Sequence, residues 1–282
     1  MTQNPQTENT GWQANLSLEF KARPKRTIIS KREHKGPLAI QRPFYPEDDV
    51  CHVYLLHPPG GVVGGDLLHI NVALKEQAQV LITTPGATKF YRNTGQLAQQ
   101  KQTLNIADGC ALEWFPQENI FFDNTHSNLS TTVHLEKSAR FMGWEIQCYG
   151  RPAANELFTT GQVTTALEIF RDGKAILLDR LQLNNQAELN SPICINHYPC
   201  FGTFISTNAT QASLDQARLA VKNLELSSQK VEIGITLLDD LLLARCLGQH
   251  SEQVSNVLKT VWSALRNDVM QRPVCLPRIW AT

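Results

Sequence analysis

The feature that most restricts what this chain can become is a habit repeated through its first two thirds: a short strand-like run followed at once by a turn. "QVLITT" gives way to "PGAT" (Pro85 to Thr88), "QTLNI" to "ADG", "ALEWF" to Pro116, "NIFF" to "DNT" and "STTVHLE" to Lys137. In "QVTTALEIF", Val163, Thr165, Leu167 and Ile169 alternate before "RDGK" turns the chain back. Short strands at intervals of roughly ten residues, with no helical period between them, predict a mainly β fold with a β-helical or stacked antiparallel β body, and argue against βαβ units. Pro85 followed by Gly86 predicts a type II turn with Gly86 at positive φ.

The last quarter changes period. "DDLLLARCLG" closes at Gly248 as a helix does at a glycine stop, and Ser251 reads as the cap of a following helix with Glu252 in its first turn. Val254, Val257, Leu258, Val261, Leu265 and Val269 then fall three and four apart, one apolar stripe that the prolines of "QRPVCLPRIWAT" bring to an end. The expected organisation is a disordered tail over 1–16 and a single domain over 17–282. Its β body spans about 17–210 and a helical C-terminal section about 211–282.

"HPPGGVVGGD" (57 to 66) invites comparison with a phosphate loop, which needs a helix N-terminus after it and a Lys-Ser/Thr ending. Neither is present: "DLLHINVALK" alternates Leu68, Ile70, Val72, Leu74 against His69, Asn71, Ala73, Lys75, and Asp66 would repel an anion. The segment reads as a strand-to-strand turn whose glycines serve backbone angles or close chain approach. GxSxG, HExxH and GxGxxG followed by a helix are also missing. "KARPKRTIISKREHK" is locally basic and reads either as a charged, solvated edge strand or as a docking surface for an acidic partner.

The formal net charge of the 282 residues is +0, so no global field draws nucleic acid or an anionic membrane, and no apolar run is long enough to span a bilayer. Seven scattered cysteines without CxxC, and a start lacking the parts of a signal peptide, predict a reduced, cytoplasmic chain. In "CINHYPC", Cys194, His197 and Cys200 have the residue types for zinc or nickel but not the usual spacing, so the expectation is a loop with two free thiols and no tight metal site. Asp66, His69, Glu113, Glu118, Asp123 and Glu145 are polar residues in apolar strand contexts. Singly each reads as a strand end facing solvent; together they would line a polar channel holding a divalent ion loosely.

Six segments in order, "GPLAIQRPFYPE", "HPPGGVVGGD", "TTPGATKFYR", "LEWFPQENIFFD", "GRPAANE" and "RPVCLPRIWAT", resemble the urease accessory protein UreD family, called UreH in some systems. The resemblance runs from about residue 20 to the C-terminus and leaves "CINHYPC" without a counterpart. It implies a non-enzymatic maturation factor of β-helical type that binds apo-urease subunits and recruits UreF and, through the complex, the GTPase UreG. It implies transient nickel in an internal passage and no tightly bound cofactor. On this reading Gly60, Gly61, Gly64, Gly65, Pro85 and Gly86 form turns at a passage mouth or a urease-facing surface. Arg151, Pro152, Arg278 and Trp280 are candidate docking residues. The alternatives are a stand-alone nickel store and a hydrolase of unrecognised type.

Overall fold

The structure, a computed structural model, describes residues 11–93, 95–224 and 230–281. The first ten residues of the expected tail lie outside that description. Order begins earlier than the sequence suggested: strand β1 (Gln13–Ala22) buries Ala14, Leu16, Leu18 and Phe20. It forms a hairpin with β2 (Thr27–Lys35), the basic segment, which is the edge of its sheet and largely exposed, as a charged edge strand should be.

From there the chain swings back and forth between two sheets. One sheet holds β5 (Leu67–Lys75), β8 (Ala98–Ile106), β11 (His126–Leu135) and β13 (Thr160–Arg171), stacked in parallel beside β1 and closed at the far edge by antiparallel β14 (Lys174–Asn185). The other holds β4 (Cys51–Leu56), β6 (Gln79–Thr83), β9 (Ala111–Phe115) and β12 (Arg140–Tyr149), also parallel, with β3 (Ala39–Ile40) at one edge. Antiparallel β15 (Cys200–Ser206), β17 (Leu241–Gly248) and β16 (Glu232–Leu238) extend it at the other. Short β7 (Thr88–Phe90) and β10 (Asn119–Phe121) bridge the turns between the sheets. Each pass adds one strand to each sheet, which is β-solenoid winding: Cys51 pairs with Val80, and Val80 in turn with Leu112.

Strand alternation makes three layers. Inward residues such as Leu16, Val72, Leu104, Val133 and Ile169 meet Val53, Ile82 and Leu112 across the gap between sheets. The other face of the ten-stranded sheet, with Leu81, Phe115, Met142, Trp144, Phe204 and Ala244, is covered by helices α2 (Gln211–Lys222) and α3 (Ser251–Met270). The whole predicted stripe of α3, with Trp262, is buried there. The helix cap differs from expectation. His250 is the N-cap, Ser251 donates to Glu118 Oε1 at 3.0 Å, and the Gln253 side chain accepts from the backbone N–H of Gln249 and His250. "DDLLLARCLG" is strand, not helix. Leu241 to Ala244 form a continuous apolar run because this strand is covered on both faces, and such a run has no readable period.

One charged cluster pins the helical layer. Arg266, 0% exposed, donates to Glu113 from Nε and Nη2 at 2.9 Å each and to Glu47 from Nη1 and Nη2 at 2.7 and 2.8 Å. Trp262 Nε1 also donates to Glu113, at 2.7 Å, and His52 Nε2 lies 2.7 Å from Glu47. Burial works to raise the Glu47 carboxyl, but hydrogen bonds from His52 and Arg266 outweigh it and hold it at about 2. Its contribution to stability is therefore present above the ordinary carboxylate range and lost as pH falls towards about 2. Arg266→Ala would leave two carboxylates buried without their cation, and urea unfolding at pH 7 should show a loss of about 3–5 kcal/mol. A loss under about 1 kcal/mol would mean that water already satisfies the cluster.

Candidate functional site

The inward face of β12 is polar where its neighbours are apolar. Glu145, Gln147 and Tyr149 point between the sheets, whereas Met142, Trp144, Ile146 and Cys148 pack under α3. Around Glu145 the sandwich is not filled. A cavity of about 290 Å³ is lined by Glu145, Gln147, Thr165, Thr203, Asp179 and Arg245, with Cys194 on its wall. Glu145 also lines a narrower space of about 50 Å³ with Gln100, Gln102, Trp114 and Asn119. That space shares Leu55, His57, Thr84 and Thr88 with a third, of about 190 Å³, walled by Pro59, Gly60, Gly61, Pro85 and Gly86. The three adjoin one another through shared wall residues, and Glu145 is common to the first two.

Glu145 accepts a hydrogen bond from Thr131 Oγ1 on the facing sheet and a longer one, 3.4 Å, from Gln147 Nε2. Gln147 in turn accepts from Asn119 Nδ2 at 3.2 Å. Burial pushes the Glu145 carboxyl up to about 7, Thr131 works to lower it, and the Asp179 charge raises it further. Asp179 accepts from Arg245 Nη2 at 2.7 Å on the wall of the same cavity. The polar part of the lining is thus amide and hydroxyl, with one acid whose carboxyl is raised to about 7 and a second held by a guanidinium, set among apolar side chains such as Leu167, Leu181, Ile195 and Phe201.

Of the six residues expected to line a channel, the structure puts only Glu145 among these cavities. Asp66 accepts from the Trp12 and Val63 backbone N–H at 2.8 and 2.9 Å and ties its own turn. His69 lies on the outer face of the seven-stranded sheet beside Lys101, where burial first and that cation second lower its pKa. Glu113 belongs to the Arg266 cluster and Glu118 to the start of α3. Asp123 accepts from Thr159 N, Thr159 Oγ1 and Thr160 N at 2.6–2.9 Å in an exposed turn. Nor do the residues of "CINHYPC" converge. Cys194 faces the large cavity, His197 is exposed, and Cys200 sits under α3 with its sulfur 3.3 Å from Cys148. All seven cysteines are free thiols. Among the described residues, no three His, Cys, Asp or Glu side chains are placed to hold a metal ion. The lining residues the sequence did not flag, Gln100, Gln102, Gln147 and Thr165, are uncharged and unremarkable on their own strands; only the pairing brings them together.

A family profile described as UreD urease accessory protein matches residues 13–281. The chain belongs to the UreD family. Urease accessory protein UreD of Alcanivorax borkumensis is 43% identical over 276 residues, covering 96% of this chain and 93% of that protein. UreD of Aliivibrio fischeri is 42% identical, covering 98% of each, and UreD of Klebsiella aerogenes is 42% identical, covering 96% and 97%.

The UreD-like segments "HPPGGVVGGD", "TTPGATKFYR", "LEWFPQENIFFD" and "GRPAANE" are successive turns from the ten-stranded to the seven-stranded sheet, stacked at one edge of the solenoid. Val62, Phe90, Phe121 and Tyr149 are in register there, with ring centroids 5.2 Å apart for Phe90 and Phe121 and 5.4 Å for Phe121 and Tyr149. Outside them a second column forms: Tyr91 against Phe122 at 4.8 Å, and Arg151 over Phe122 at 5.0 Å. Gly61 makes room for this column, since a Cβ there would stand 2.5 Å from the Tyr91 ring and 2.6 Å from Lys89 O. Gly60 is less constrained and receives a hydrogen bond at its carbonyl from the Tyr91 hydroxyl, at 3.0 Å. A Cβ at Gly64 would meet Asn93 Cβ at 2.8 Å, and Gly65 has φ 90°. The type II turn at Pro85 is not formed: Gly86 is not left-handed, because the chain runs on directly into β7.

The docking candidates divide. Arg278 is exposed, Arg151 is ion-paired with Glu156, and Pro152 opens a 3-10 turn (Pro152–Ala154). Trp280 is not free for a partner. It packs on Trp262 and Trp144 at 5.4 and 5.2 Å and donates to Thr83 Oγ1 at 3.0 Å, anchoring the C-terminal segment.

Two predictions follow from this geometry. Gly61→Ala should cost about 1–3 kcal/mol in urea unfolding by displacing Tyr91, whereas Gly86→Ala, with nothing within 4 Å of the new Cβ, should stay within about 0.5 kcal/mol of the parent. For Glu145 the raised pKa means that the native state keeps a proton the unfolded chain has lost, so stability falls as pH rises from the ordinary carboxylate range to about 7. Glu145→Gln should therefore raise the melting temperature at pH 8 and change it little at pH 4; equal effects at both would refute the buried carboxyl.

Proposed function

We propose that this chain serves urease maturation as a non-catalytic scaffold. It holds apo-urease, recruits UreF and, through the complex, the GTPase UreG in the cytoplasm, and lets nickel pass along the space between its two sheets. The observation that carries the reading is the run of three adjoining cavities from the glycine turns, past Glu145, to Asp179 and Arg245. Its chemistry suits transit. Hydroxyl and amide oxygens replace part of a cation's water shell, and one carboxylate that gains or loses a proton near neutrality attracts the ion without caging it. A thiolate cluster would hold nickel too firmly to release it. The turns that resemble the family most strongly wall one end of the run, which accounts for the glycines without any phosphate chemistry.

The test uses urease purified from cells co-expressing its subunits and the other accessory proteins. Without this chain the urease should be nickel-poor and inactive. With Glu145→Lys the complex should still assemble in a pull-down, while urease nickel content falls at least about tenfold through like-charge exclusion from the narrow space. Full nickel loading by Glu145→Lys would end the passage reading but leave the scaffold intact, and full loading without the chain would end both.

A further inference from the structure

The outer face of the seven-stranded sheet carries a charge imbalance that the passage does not use. On β1 the inward residues are Leu16, Leu18 and Phe20, so Ser17, Glu19 and Lys21 face outward, and the strand register carries that assignment to the neighbouring strands. Lys35 on β2 stands beside Asn15, Asn15 beside His69 on β5, and His69 beside Lys101 on β8, one row across four strands. Further along the same face Lys31 neighbours Glu19, and Lys21 neighbours Lys75. Lys31, Lys35, Lys75 and Lys101 are all exposed. In a chain whose formal net charge is +0, this corner of the sheet is cationic.

Two acids share this part of the face, and both are taken: Glu33 lies 2.9 Å from Lys31, and Glu19 lies 2.6 Å from Lys75. Lys35 and Lys101, at the two ends of the row, are left without an acid partner among the described residues. The excess reaches His69 between them, whose pKa is lowered by burial first and by the Lys101 cation second. Protection of an open sheet edge accounts for the lysines of β2 alone. Lys101 stands three strands inside the sheet, where no edge needs guarding, and like charges gathered on one face oppose folding. Such a face is matched by an acidic one. The outward positions of these four strands hold no phenyl, phenol, indole or guanidinium group on which a nucleobase would stack, and Glu19 and Glu33 would repel a uniform run of phosphates. A polypeptide can set acids against the two free lysines and neutral side chains against the glutamates. The row covers three strand spacings, about 14 Å, and five extended residues at about 3.3 Å each span it.

We propose that this face is the docking site of an acidic, extended segment of a partner protein, laid along the row from Lys35 to Lys101 with carboxylates on these two lysines. The site is independent of the passage and stands or falls without it.

The probe is the blocked peptide acetyl-Glu-Glu-Thr-Glu-Glu-amide, titrated calorimetrically into the full chain at low salt beside its Gln counterpart and a short oligothymidylate of equal charge. The Glu peptide should bind one to one, at least about tenfold more tightly than the Gln peptide, and should weaken as salt is added. Lys35→Glu and Lys101→Glu should each weaken it by about fivefold or more with an unchanged melting temperature, whereas Lys222→Glu, an exposed position at the end of α2, should leave it as it is. The proposal is overturned if the Glu peptide does not bind, if the two peptides bind alike, or if Lys222→Glu weakens binding as much as the other two changes. Oligothymidylate binding as tightly as the Glu peptide would make this a general polyanion face and would overturn the protein assignment.

Discussion

The register of the ten-stranded sheet is the constraint on which the rest depends. Its strands have two working faces, one against α3 and one against the interior, and a strand changes face at every residue. On β12, Trp144 and Ile146 must reach the helix for Glu145 and Gln147 to reach the cavity. A slip of one residue would put the acid under α3 and an indole into the cavity. Arg266 makes such a slip costly. It fixes Glu113 on the helix side of β9, two strands pair in parallel on that choice, and Glu145 then has nowhere to face but inward. The value of the buried ion pair lies less in net stability, which such pairs seldom provide, than in the single arrangement it permits.

The interior that this arrangement leaves is not completely filled. A sandwich core normally closes to crystal-like density, yet here Glu145, Gln147, Gln100 and Gln102 stand beside apolar side chains around space that is left open. The open middle is offset at the margins. The turns at one edge are stapled by two columns of stacked rings, one inside through Phe90, Phe121 and Tyr149, one outside through Tyr91, Phe122 and Arg151. Rigid turns next to an underpacked interior keep the cavity from collapsing.

How far the sequence disclosed this depends on how many faces each element presents. Helix α3 has one partner face, so its stripe from Val254 to Val269 was legible, and the alternation of β5 and β13 likewise marked strands with one solvated side. The strand Leu241–Gly248 is covered on both sides and reads as an uninterrupted apolar run, which periodicity cannot distinguish from a helix. The channel residues were harder still. Glu113 in "LEWF" and Glu145 in "GWEI" look alike, each an acid beside a tryptophan. The tryptophans differ, since Trp114 faces the interior and Trp144 faces the helix, so the two acids end up on opposite sides of the sheet. Which side is which is decided by pairing between distant strands, and no local pattern records it. Asp66 and Asp123 were misleading for a related reason: both cap backbone N–H groups in their turns, and a capping carboxylate has the same local sequence signature as a ligand.

Among the described residues the interior gathers no cluster of acids, thiols and imidazoles placed to hold a metal ion, and its two acids sit in different surroundings. Glu145 is half-buried, and desolvation together with the nearby Asp179 charge sets its carboxyl at about 7, so protonated and ionised forms coexist around neutral pH. The other acid on the wall, Asp179, is already held by Arg245. The charge that this wall presents therefore changes with pH around neutrality. The solenoid contributes the remaining element. Winding the chain back and forth between the sheets gives one interior, with the glycine turns beside one cavity and Asp179 and Arg245 beside another.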